Sequence, residues 1–185
     1  MPQKGQILKD TVTGNIYEFI ETAEDTHGAK VTVKITLNDK GKIAPDHIHL
    51  NQDETFEIFQ GTMTYTLNGK EHEIKAGESI MLQRNVPHNH YNLSDEPLVF
   101  LQTIEPAYDI DYFFETLVGL TNDGKVVNGQ MKFLQAMAIG KYLNSPSMLA
   151  SIPRGIQRVL INIMGPIARM LGYRALYPKY CGIEK

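Results

Sequence analysis

Four side chains able to bind a metal ion fall within about forty residues of this 185-residue chain: His47, His49, Glu54 and His88. His47 and His49 are separated by one residue, and in an extended strand residues i and i+2 point to the same face. Both imidazoles can therefore reach one ion. Glu54 follows His49 at an odd spacing, which would turn it to the opposite face of an unbroken strand. The polar turn residues Asn51-Gln52-Asp53 reset that alternation and let the carboxylate join from a neighbouring strand. Three imidazoles and one carboxylate form a nitrogen and oxygen set suited to one divalent transition metal, Fe, Mn, Ni, Cu or Zn, and poorly suited to Ca or Mg. Four protein ligands on an ion that accepts six leave open positions for water, substrate or dioxygen, the mark of a catalytic site over a closed structural one. A lone strand histidine is most often an ordinary exposed or hydrogen-bonded residue, so it is the spacing of the group that points to a site.

Strands must carry these ligands. Val31, Val33, Ile35 and Leu37 alternate with Thr32, Lys34 and Thr36, the period of a half-buried strand. Residues 62–67 run into Asn68-Gly69, a strong hairpin signal, and the chain returns through 72–74. Residues 79–82, 86–92 and 98–104 read as further short strands, and many short strands at even spacing predict a jelly roll or barrel.

The stretch Gly41-Lys42-Ile43-Ala44-Pro45-Asp46-His47-Ile48-His49, continuing through Glu54 to Gly61, resembles the first motif of the cupin superfamily. Residues 77–92, with Gly77 at the start, Val86-Pro87-His88 carrying the fourth ligand and Asn92 at the end, resemble the second. The usual Pro-x-Gly turn is replaced by Gln83-Arg84-Asn85, and Asn tolerates the left-handed conformation that Gly normally supplies. The resemblance spans roughly residues 30–106 and is that of a small, bacterial-type monocupin. It implies a mainly β fold, the double-stranded β-helix or jelly-roll barrel, with a metal in its interior. The reaction stays open, because the family holds dioxygenases, decarboxylases, isomerases, epimerases and non-catalytic binders.

His90 shares parity with His88 and Asn92, so a regular strand turns all three inward and makes His90 the candidate catalytic acid or base. A bulge would instead turn it out. Phe56, Ile58, Met63 and Tyr65 line the barrel or simply fill its core. His72, between two glutamates, reads as solvated, and His27 carries no signal. Arg84 falls at the rim, where it could meet an anionic substrate or be a plain turn residue. Cys181, the single cysteine, has no histidine near it in sequence and receives no catalytic role.

The composition changes after residue 107, dividing a barrel (1–107) from an α-helical C-terminal extension (108–185). Helices are expected over 111–120, 130–143 and 152–171, the last with Pro153 near its first turn and Pro166 as a kink or break, and 144–147 reads as a loop. Residues 1–123 hold 9 Lys and Arg against 20 Asp and Glu, a balance of −11, whereas 124–185 hold 9 against 1, a balance of +8. The overall −3 hides this polarity, and residues 124–183 contain no acidic residue. One reading docks the basic helices on acidic barrel surface, their own or that of a homodimer partner. It is supported by Val159, Leu160, Ile161 and Ile163 spreading around the helix, since a helix apolar on most sides is buried in protein. The rival reading is peripheral contact with an anionic membrane through Ile156, Leu160, Ile163 and Ile167. Nucleic acid is disfavoured, the cations being scattered among aliphatic residues.

Two functions follow: a metal-dependent enzyme acting on a small molecule in the barrel, of oxygenase or isomerase/epimerase type, or a non-catalytic module that binds or senses a metal and metabolite. The start Met-Pro-Gln-Lys-Gly carries no apolar signal segment and one cysteine offers no disulfide, so a reducing, cytoplasmic setting is expected.

Overall fold

The computed structural model describes residues 1–42 and 44–185, so Ile43 of the first motif lies outside the described residues. Strands β1 (Ile7–Lys9), β2 (Ile16–Glu21) and β3 (Val31–Leu37) open the chain. The ligand-bearing β4 (His47–His49) and the longer β5 (Asp53–Gln60) follow, then β6 (Thr62–Leu67), β7 (Lys70–Lys75), β8 (Ser79–Leu82), β9 (His88–Tyr91) and β10 (Leu98–Glu105). The extension comprises α1 (Ile110–Asn122), the small hairpin β11 (Val126–Val127) and β12 (Gln130–Met131), α2 (Phe133–Tyr142), β13 (Ser147–Leu149), α3 (Arg154–Met170) and α4 (Pro178–Cys181).

Ten of these strands and β13 build two antiparallel sheets, β1-β2-β3-β10-β5-β8 and β13-β4-β9-β6-β7, in the jelly-roll arrangement. Alternation decides which side chains enter the space between them. On β10, Leu98, Phe100, Gln102 and Ile104 are buried while Val99, Leu101 and Thr103 are only half-buried. Phe19, Val33, Phe56, Met63, Leu82 and Phe100 meet in one core drawn from both sheets. Turns hold the register: Asn68 and Gly69 take φ of 51° and 75°, the left-handed pair a two-residue hairpin requires. Asn85, standing where a glycine was expected, has φ 66° and donates its N–H to the His49 carbonyl at 2.8 Å, so the substituted turn survives and is tied to a ligand strand.

The extension departs from the sequence expectation in three places. Gln130 and Met131 pair as β12, and the second helix begins only at Phe133. Ser147, expected in a loop, starts β13, which pairs antiparallel with β4 in the register Ser147↔His49, Met148↔Ile48, Leu149↔His47. Asp109 anchors the approach to it, accepting the backbone N–H groups of Asn144 and Ser145, the Ser145 hydroxyl, and Lys185 Nζ at 2.6 Å. Finally, α3 buries Gln157, Gly165 and Ala168, half-buries Ile161 and Met164, and leaves Ile156, Val159, Leu160, Ile163, Ile167 and Met170 exposed, so this stripe does not pack on the chain's own barrel. The two helices approach closely: a Cβ on Gly165 would fall 2.5 Å from Lys141 Cβ, and one on Gly140 of α2 would fall 3.0 Å from Ile161 of α3, so each helix places a glycine where the other's side chain comes in. Pro166 neither breaks nor ends this helix.

Candidate metal centre

Strand β4 presents His47 and His49 to one side and buries Ile48 on the other, as strand parity requires. His47 lies opposite His88 across the β4–β9 pair, and Glu54 comes from the facing sheet as the first inward residue of β5. One ligand atom from each of the four lies within 4.8 Å of the others, so the spacing read from the sequence converges on a point. The imidazole centroids are 5.0 Å apart for His47–His49 and His47–His88 and 5.5 Å for His49–His88.

Backbone carbonyls orient two of the rings. Val86 O lies 2.8 Å from His88 Nδ1 and Pro45 O lies 3.1 Å from His47 Nδ1. A carbonyl can only accept, so each Nδ1 carries the proton, and in the neutral ring Nε2 keeps the lone pair a metal requires. Gln102 Nε2 donates to Glu54 Oε1 at 2.8 Å and fixes the carboxylate, whose Oε2 lies 3.0 Å from His88 Nε2. His49 Nε2 stands 3.5 Å from Glu54 Oε1. The donor set, the tautomers and the carboxylate orientation all fit a divalent transition ion, for which a buried cluster of one anion and three imidazoles is an apt cage.

Electrostatics in the metal-free state follow from burial and proximity. Burial and the neighbouring His49 push the His47 imidazole down to about 4. Burial works to raise Glu54, but His49, the bond from His88 and His47 outweigh it and hold the carboxyl well below its ordinary value. Burial works to lower His88, yet the bond to Glu54 prevails and its pKa is raised.

His90 does point inward, its ring 4.7 Å from Phe56 and 5.6 Å from Phe100, and its Nδ1 is buried without a hydrogen-bond partner. Burial lowers its pKa to about 4, so in the metal-free protein the ring is neutral near pH 7. Asn92, expected inward by the same parity, instead donates to Glu96 O and accepts from Ser94, closing the turn after β9. Phe56, Ile58, Met63 and Tyr65 are all buried core. His72 is exposed and stacks on Tyr65, and Arg84 is engaged by both oxygens of Asp53, at 3.1 Å from its Nε. Cys181 is buried beneath the Thr116 hydroxyl, away from the four ligands. Sequence reasoning missed Gln102, although a single polar residue in the inward row of Leu98, Phe100 and Ile104 was the available signal.

The two sheets form a jelly roll whose interior holds a four-residue cluster that could bind a metal ion. The family model described as a cupin domain matches residues 34–104, which hold all four candidate ligands. An uncharacterised protein of Methanocaldococcus jannaschii is 26% identical over 104 residues, 56% of this chain and 76% of that protein. A protein of Arthrobotrys oligospora named as an oxidoreductase is 26% identical over 156 residues; they make up 78% of this chain but 62% of that protein, less than two thirds of its length. Among solved structures, KdgF from Halomonas sp. superposes with a TM-score of 0.47 at 18% identity, covering 56% of this chain and 88% of that one.

Proposed function

We propose that the protein is a metal-dependent enzyme acting on a small molecule held in the barrel, of the oxygenase or isomerase/epimerase class. The observation that carries this reading is His90: a buried ring nitrogen with no partner, set between Phe56 and Phe100 on the same strand as the ligand His88. A buried polar atom left unsatisfied is the place where a ligand's polar group restores the missing bond. A binder needs only complementary walls, whereas an enzyme needs a group that moves a proton beside the site.

A divalent transition ion held by His47, His49, Glu54 and His88 would supply Lewis acidity towards a carbonyl or enol, or redox chemistry towards dioxygen. The chain's own part is positional and protic. Pro45, Val86 and Gln102 hold the ligand side chains, the two phenylalanines keep water from the inner wall, and His90 accepts a proton from the bound molecule and returns it. The half-buried His47 marks the side on which the cluster meets solvent. The name of the Arthrobotrys relative favours the redox branch.

The test is to load the protein with Fe(II), Mn(II) or Ni(II) and offer small enolisable carbonyl compounds, following dioxygen uptake and solvent-deuterium incorporation. His90→Gln should retain its metal while turnover falls by about 10²-fold to 10⁴-fold. Full turnover in that variant would put His90 outside the mechanism, and neither uptake nor exchange with any metal would leave a binding module.

A further inference from the structure

Helix α3 is amphipathic the wrong way round for a helix packed on its own protein. Ile156, Val159, Leu160, Ile163, Ile167 and Met170 recur at helical spacing along one stripe, yet Ile156 is 55%, Val159 58%, Ile163 57% and Met170 85% exposed. A second side, with Gly165 and Ala168, is buried, and a third carries exposed Arg158, Asn162 and Arg169. Over 17 residues the stripe is about 25 Å long. We propose that this face lies on an anionic lipid surface and holds the barrel beside it.

Charge selects that occupant. The stripe sits in a sixty-residue run, 124–183, without one acidic side chain. Beside the C-terminal end of α3, Leu171, Tyr173, Tyr177, Lys132 and Lys125, the last 3.8 Å from Asp123, line a cleft of about 260 Å³, room for an anionic headgroup next to the apolar stripe. A second copy of the chain offers these helices no opposite charge, because a two-fold interface sets a patch against itself and residues 124–183 hold no acidic side chain. Anionic lipid complements both features: the apolar side chains enter the headgroup boundary while the cations meet its negative potential. Among the described residues no helix is long and apolar enough to cross a membrane, which leaves a helix lying in the surface plane.

The experiment sediments the full metal-loaded chain with vesicles of phosphatidylcholine alone or mixed with phosphatidylserine, at low and high salt. Binding to the mixed vesicles that weakens with salt and is absent from phosphatidylcholine is expected. Ile163→Asp should reduce it at least tenfold with unchanged metal content, and Lys132→Glu by about fivefold or more. No sedimentation with mixed vesicles, or equal binding to both kinds, overturns the proposal. So does a dimer in sedimentation velocity that Ile163→Asp dissociates, because a second copy would then cover the face.

Discussion

The barrel interior and the third helix of the extension each reverse the usual distribution of side chains, in opposite senses. Between the sheets, His88, Glu54 and Gln102 are almost wholly buried, while on α3 large aliphatic side chains face out. Buried polar groups are costly unless something satisfies them; in the barrel Glu54 joins Gln102 and His88 around a common point, while His49 Nδ1 and His90 Nδ1 have no hydrogen-bond partner. Exposed aliphatic side chains meet no such internal answer. The two regions are nevertheless joined. Gln157 on α3 accepts from Leu149 N and donates to Leu149 O and Ile152 O, which holds the end of β13, and β13 is paired with the strand carrying His47 and His49.

The largest effect that tests this contrast is removal of His47 and His49 together. Changes to groups that merely orient ligands cost about 10-fold to 100-fold in affinity, so losing two ligands should reduce metal from about one ion per chain to near none. Elemental analysis of the purified variant decides it, and unchanged metal would abolish the distinction drawn here for the barrel.

A smaller effect is expected from pH. In the metal-free protein His47 and His90 are pushed down to about 4, chiefly by burial, whereas an unfolded chain takes up those protons at about 6.5. The unfolded state therefore gains as pH falls from about 6.5 to 4, by up to about 3 kcal/mol for each ring at the acid end. His88 works in a separate window: its pKa is raised, so its contribution is complete below about 6.5 and is lost as pH rises through the folded value. Glu54, held low, loses its contribution only on stronger acidification. Thermal melts without metal should show a lower midpoint at pH 5 than at pH 7, with a smaller difference in His90→Gln. Equal midpoints in both the parent protein and His90→Gln would mean that burial of the His90 ring does not couple stability to pH.

The smallest effect sharpens the contrast from the other side. Ile163→Ser should alter folding stability by no more than about 0.5 kcal/mol, as for an exposed position, although it removes a large aliphatic side chain. Chemical denaturation measures this directly. A loss of about 2 kcal/mol or more, the range for a buried aliphatic residue, would show that α3 already covers its stripe.

Much of the barrel was legible in the residues themselves, because strand parity and turn chemistry are local properties. The alternation from Val31 to Leu37, the hairpin at Asn68-Gly69 and the gathering of His47, His49, Glu54 and His88 follow from periodicity, turn chemistry and spacing, whereas the left-handed Asn85 is read from the resemblance to the second cupin motif. The inward turn of His90 belongs with them, whereas Asn92, two residues on, was claimed by a turn that parity does not register. What the tertiary structure decided is non-local. No pattern in Ser147-Met148-Leu149 announces that it will pair with the ligand strand, since sheet-edge pairing depends on where Asp109 and Gln157 hold the loop and the helix. Nor does the apolar content of α3 reveal which side is buried. The answer came from the contact with α2, where Gly165 meets Lys141 and Ile161 meets Gly140, so that the side bearing Gly165, Ala168 and Ile161 turns inward and the stripe from Ile156 to Met170 is left outside.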